Sequence, residues 1–119
     1  MNLDLKTLSI IREAARALIH HADGHSRDSF EADRKTRSAV LFEIILIGEG
    51  AKRLSPDLLG RYPEGPWSQV VGMRDRLAHS FDAIKFDLVW RVVQDDGPAL
   101  LAFLDRIIAL ESNPLWPAR

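Results

Sequence analysis

The sequence predicts an all-α fold: an antiparallel bundle of four long helices, with one short helix connecting two of them. Apolar residues recur at three- and four-residue spacing over most of the chain, as a helix with one buried face requires. No segment shows sustained period-two alternation, so strands are not expected. Caps, prolines and glycines fall between the periodic stretches and separate one helix from the next.

Leu5, Leu8, Ile11, Ala15, Leu18 and Ala22 form one stripe and predict a first helix over about residues 3–22, with Gly24 as its stop signal. The second helix is expected from about Ser29 to Arg53, with Val40, Leu41, Ile44, Ile47, Gly48 and Ala51 on its seam. Between residues 39 and 48 it is apolar on most sides, which places it at the centre of the bundle. Gly48, Gly50 and Ala51 are small enough for another helix to approach closely. Ser55-Pro56 reads as an N-cap followed by proline in the first turn, opening a short helix from Asp57 to about Arg61. Tyr62-Pro63-Glu64-Gly65-Pro66 is a turn, and Pro66 opens the next long helix. The last helix runs from about Asp87 to Glu111. Its stripe of Val89, Val92, Val93, Leu100, Phe103, Leu104, Ile107 and Leu110 stays in phase across Gly97-Pro98, so a kink is expected there. Ser112-Asn113-Pro114 ends it, and Leu115-Trp116 is expected to pack back on the core.

At 119 residues the chain has the length of one domain, residues 1–119, with room for a single core. Its 46% apolar and 28% charged residues fit a folded soluble protein. A formal net charge of −1 gives no overall basic field of the kind a general nucleic-acid binder carries, but leaves room for a local basic site. The absence of cysteine excludes disulfides, thiolate zinc sites and cysteine nucleophiles. It is compatible with a cytoplasmic location, as is the start Met1-Asn2-Leu3-Asp4-Leu5-Lys6, which lacks the pattern of a signal peptide. The longest apolar run, Ala39 to Gly48, is too short to span a membrane and contains Glu43.

The most informative stretch is Arg74-Asp75-Arg76-Leu77-Ala78-His79. The apolar seam of its helix runs through Trp67, Val70, Leu77 and Phe81, and Arg74 falls on that seam where an aliphatic residue is expected. Arginine is rarely buried without a partner. Either Arg74 meets a carboxylate in the core, or this face lines a cleft or subunit interface that handles anions. On an ideal helix Arg74 and His79 lie about 140° apart. They converge on one ligand only if the helix ends near His79 or if a second subunit supplies the other group. Asp75 is four residues before His79 and shares its face, so its carboxylate is placed to orient the imidazole. Arg76 and Ser80 flank the pair and are candidate substrate contacts.

Other clusters have plainer explanations. His20, His21 and His25 gather at the end of the first helix; the spacing of His21 and His25 would suit a metal only if the helix continued past Gly24. No metal ligand set and no cofactor motif is assigned. Arg34-Lys35-Thr36-Arg37, interleaved with Glu31 and Asp33, reads as a solvated helix face. Phosphate-binding glycine loops, nucleophile elbows and zinc-protease motifs are missing.

An all-helical domain with R-x4-H near a helix end resembles the HEPN superfamily, and the likeness is nearer to its HepT-like toxin branch. Ile47-Gly48-Glu49-Gly50-Ala51-Lys52-Arg53-Leu54-Ser55 resembles that branch's IGEA-type segment. Trp67 to His79 resembles its W-x5-M-R-[ND]-x3-H stretch, and Phe86-Asp87-Leu88-Val89-Trp90 its D-x-V-W segment. The ordered matches span roughly residues 47–90. The resemblance implies a homodimer with two motif copies facing each other, and a metal-independent endoribonuclease acting on RNA as the toxin of a toxin–antitoxin pair, with a small nucleotidyltransferase as antitoxin. It implies that His79 is the general acid/base and that Arg74 holds the scissile phosphate, with Asp75 orienting His79 or Arg74. Two positions depart from the pattern. Phe81 stands where many members carry the tyrosine that their antitoxin modifies with AMP, and Asp75 stands where asparagine is common. These departures also fit a non-catalytic binding module that keeps the fold and partners a nucleotidyltransferase or a nucleotide.

Overall fold

A computed structural model describes residues 2–117; the ends of the assignment of residues 1–119 to one domain lie outside the described residues. The described residues form helices and turns only, in the order α1 (Leu3–Ala22), α2 (Arg27–Ala32), α3 (Arg34–Lys52), α4 (Pro56–Arg61), α5 (Trp67–His79), α6 (Phe86–Arg91) and α7 (Gly97–Glu111). A 3₁₀ turn at Phe81–Ala83 follows α5, and a π-helical turn at Val92–Asp96 joins α6 to α7 into one long helix. The all-α bundle expected from periodicity is therefore present.

The first four helices start where the sequence supplies a side-chain partner for the first free N–H groups. Asn2 caps α1 through a bond from Leu5 N–H. Ser55 caps α4, with Pro56 in its first turn. The expected second helix is divided, however. Ser26 and Ser29 cap each other's backbone at the start of α2, and Asp33 accepts from the N–H groups of Lys35 and Thr36 to start α3 anew. Asp33 has extended backbone angles, so the helix cannot run through it.

α3 is the central element. Its residues 48 and 50 point about 200° apart, so small residues at both let a helix close in on each side. A side chain at Gly50 would meet Ile11 of α1, and one at Gly48 would meet Arg74 and Val70 of α5. α1 runs antiparallel to α3, with its His21 end against Glu43 and its Ile11 region against Gly50. α7 runs antiparallel to α1, with Leu18 near Gly97 and Arg12 near Asp105. Leu8, Ile11, Leu18, Phe30, Val40, Leu58, Leu104 and Ile107 are essentially sealed from solvent and form the core. Burial of each such side chain stabilises the fold by roughly 1.5–3 kcal/mol.

The irregularity of the last helix lies just before the expected kink. Pro98 has no N–H to give to residue 94, and the chain accommodates this with a widened turn in which the Gly97 N–H reaches the Val92 carbonyl, five residues back. The tail is tied back at Trp116, whose indole donates to the Tyr62 hydroxyl at 2.9 Å, but the Trp116 ring is exposed and does not join the core. Leu115 is exposed. Among the described residues no helix is long and apolar enough to cross a membrane.

Candidate active site

α5 is anchored at its start by Trp67, whose indole donates to the Tyr62 carbonyl at 2.9 Å and meets Phe103 edge-on. Leu77 is buried, and Trp67 and Val70 are partly buried against the core. This fixes the rotation of α5 and brings Arg74 over α3. Gly48 presents no side chain at that point, so the Arg74 stem lies directly against the α3 backbone. The Arg74 side chain is 23% exposed, and its charged end reaches carboxylates on two helices. Nε lies 2.7 Å from Glu49 Oε1 on α3, an ionic contact without an aligned hydrogen bond. Nη1 donates to Asp75 Oδ1 at 3.0 Å. Arg74 is thus paired with carboxylates, but with partly exposed ones at the α3–α5 crossing and not in the core.

Asp75 also accepts from Lys52 Nζ of α3 at 2.8 Å. The Lys52 ammonium, with Arg74 beside it, holds the Asp75 carboxyl below the usual carboxylate range. Glu49, Arg74, Asp75 and Lys52 therefore form a chain of alternating charge between α3 and α5.

α5 ends at His79. Ser80 leaves the helix, and its N–H closes the last turn on the Arg76 carbonyl at 2.9 Å. His79 is exposed, and its Nδ1 lies 2.8 Å from the Asp75 backbone carbonyl. A carbonyl can only accept, so Nδ1 carries the proton and Nε2 of the neutral ring keeps its lone pair toward solvent. This corrects one expectation. The Asp75 carboxylate turns to Lys52 and Arg74, and it is the Asp75 carbonyl, not the carboxylate, that orients His79. Asp75 thus touches both motif residues, one through its side chain and one through its backbone.

The other candidates separate. Arg76 lines a cavity of about 490 Å³ between α5 and α7, with Val70, Met73, Leu100 and Phe103 among its walls. It makes no hydrogen bond or ion pair with Arg74, Asp75 or His79 among the described residues. Ser80 is exposed beside His79. Phe81 leaves the apolar seam because the helix has already ended, and it is 75% exposed. Tyr62 is 2% exposed; its hydroxyl donates to Glu111 Oε2 at 2.7 Å and is pushed up to about 12 by burial and by Glu111. Sequence spacing missed Glu49 and Lys52. Both lie within the IGEA-like segment, but nothing in that segment says which neighbouring helix they face.

The histidine cluster disperses into local contacts. His21 Nε2 meets the buried Glu43 at 2.8 Å, while His25 contacts Ser29 and Thr36. Arg37 departs from a solvated face: it donates to the Glu31 carbonyl at 2.9 Å and lies over the Phe86 ring at 4.7 Å.

The family described as "Ribonuclease HepT-like" matches residues 11–107. A Methanocaldococcus jannaschii protein named "Putative RNase MJ0127" is 31% identical over 98 residues, covering 82% of this chain and 81% of its own. A Thermococcus cleftensis protein named "Probable ribonuclease HepT" is 31% identical over 80 residues, covering 67% of this chain and 73% of its own. A Caldanaerobacter subterraneus protein named "Putative RNase TTE0752" is 26% identical over 104 residues, covering 87% and 93%. No solved structure matches the chain at the same level of significance.

Proposed function

The chain belongs to the HepT-like ribonuclease family, and from that premise we propose that it is a metal-independent endoribonuclease. Its site is composite, formed by Arg74 and His79 of two subunits across a homodimer interface. The observation that carries this reading is the tautomer of His79. With Nδ1–H held by the Asp75 carbonyl, Nε2 of the exposed ring is left as the acceptor.

The chemistry requires one base, one acid and a cation. His79 Nε2 takes the proton of a ribose 2′-hydroxyl, and that oxygen attacks the adjacent phosphorus. The bond from phosphorus to the 5′-oxygen breaks as the new bond forms. The leaving oxygen takes a proton from His79 of the partner subunit, which enters the reaction as an imidazolium. Products are a 2′,3′-cyclic phosphate and a 5′-hydroxyl; one proton is taken and one is given. Arg74 stabilises the charge on the phosphate oxygens through its remaining N–H groups. A dimer places two such histidines opposite each other and removes the need for Arg74 and His79 of one helix to converge. In the cell this activity would be cytoplasmic and restrained by a nucleotidyltransferase antitoxin.

The test is cleavage of single-stranded RNA by the purified protein, with and without EDTA, and by His79→Ala and Arg74→Ala. Loss of either group lowers the rate by about 10²–10⁴-fold, and EDTA leaves it unchanged. Activity lost with EDTA, or retained at the wild-type rate in His79→Ala, overturns the mechanism.

A further inference from the structure

A carboxylate beside a phosphate-binding arginine is an electrostatic problem. Asp75 accepts from Arg74 Nη1 and sits next in sequence to the group that would meet the substrate. Alone, it would repel an approaching phosphate and compete with it for the guanidinium. The structure supplies a counter-charge from another helix: Lys52 Nζ, 2.8 Å from the same Asp75 oxygen that Arg74 uses. Glu49 takes the Nε edge of Arg74 at 2.7 Å. The guanidinium is therefore restrained along Nε and Nη1, and its Nη2 group donates no hydrogen bond among the described residues. All four side chains are between about one-fifth and one-half exposed, so a ligand can reach the cluster.

We infer that Lys52 is a positioning residue of the site, acting through Asp75. It neutralises Asp75, so that the aspartate aligns Arg74 without opposing the phosphate of a single-stranded RNA. Glu49 is the second restraint on the same guanidinium. The inference rests on the ribonuclease reading for its ligand, but it concerns binding and does not depend on turnover. An arginine at the α3–α5 crossing can carry two carboxylate neighbours and still receive an anion, because Lys52 offsets the charge of one of them.

The experiment is a double-mutant cycle with Lys52→Met, Asp75→Asn and the double variant in the full chain. Affinity is read by fluorescence anisotropy with a mixed-sequence, fully 2′-O-methylated RNA oligonucleotide, which lacks the attacking hydroxyl. Cleavage of the unmethylated strand is measured in parallel, and thermal unfolding checks each variant. Lys52→Met should weaken binding about fivefold in the wild-type background, the scale of a partly exposed charge interaction. In the Asp75→Asn background the same change should cost less than twofold, because no carboxylate remains to neutralise. An equal loss in both backgrounds would mean that Lys52 meets the phosphate directly and would overturn the inference, as would no loss in either or no binding by the wild type. If coupling is found in binding while the wild type cleaves nothing, the catalytic reading falls and this inference stands. If the wild type cleaves and coupling is missing, the reverse holds.

Discussion

Gly48 of α3 lies so close to Arg74 of α5 that a Cβ atom placed on the glycine would overlap Cβ of the arginine. That contact sets the distance between α3 and α5, and with it the height of the Arg74 guanidinium over Glu49. The same Cβ would also come within 3.1 Å of the Val70 carbonyl, so relief requires backbone movement and not only a new rotamer. Gly48→Ala should destabilise the fold by about 1–3 kcal/mol and should impair RNA binding beyond that loss. Gly60→Ala on α4 is the control, since a Cβ there meets nothing within 4 Å. Denaturant unfolding of the two variants checks the contrast.

The protein should be a two-fold homodimer through the face that carries α5. A composite site needs it, and Phe81, 75% exposed and two residues past His79, is an apolar group placed to be covered by such a contact. Light scattering at micromolar concentration should give twice the 13.4 kDa chain mass. A monomer there would count against the composite site.

A nucleotidyltransferase partner should silence this protein by occluding the cleft, without transfer of AMP to position 81, because phenylalanine offers no oxygen nucleophile. Tyr62 is a poor substitute: its hydroxyl is buried and already shared between Glu111 and Trp116. Ser80 is the exposed hydroxyl beside the site. Intact-mass measurement after incubation of the pair with ATP should show no AMP added to this chain. A mass increase would overturn occlusion, and peptide mapping would then test Ser80.

Glu111 ties the end of α7 to α4 and the tail. Its carboxylate side chain is 4% exposed and accepts from Arg61, Tyr62 and Trp116. Burial opposes the charge, but the hydrogen bonds from Arg61 and Tyr62 outweigh it and hold the carboxyl below its ordinary 4.5. A depressed folded value stabilises the protein above the unfolded carboxylate range, and that stabilisation is lost as pH falls through the folded value. Glu111→Gln should therefore cost about 1–3 kcal/mol at neutral pH. The gap from wild type should close on acidification below 4.5. Denaturation midpoints at neutral and acidic pH test this; a gap independent of pH would argue against it.

Much of this molecule is legible in the sequence because helix periodicity is local. The stripe of Leu8, Ile11, Ala15, Leu18 and Ala22 is the buried face of α1, and Val40, Ile44 and Ile47 are buried on α3. Arg74 on an apolar seam and His79 at a helix end were both readable from spacing alone. The break at Asp33 was readable only in part. An aspartate in a charged stretch suits a helix surface as well as a cap, and the choice depends on whether its backbone is extended. The π turn likewise depends on how the chain absorbs Pro98 while α7 stays packed on α1. Tertiary structure alone decided the neighbours of Arg74. Lys52 and Asp75 are 23 residues apart and on different helices. Spacing within a helix tells which side chains share a face, but not which face of which neighbour they meet. Here that was settled by the close approach at Gly48, which turns the Arg74 stem against α3 and leaves its charged end among Glu49, Asp75 and solvent.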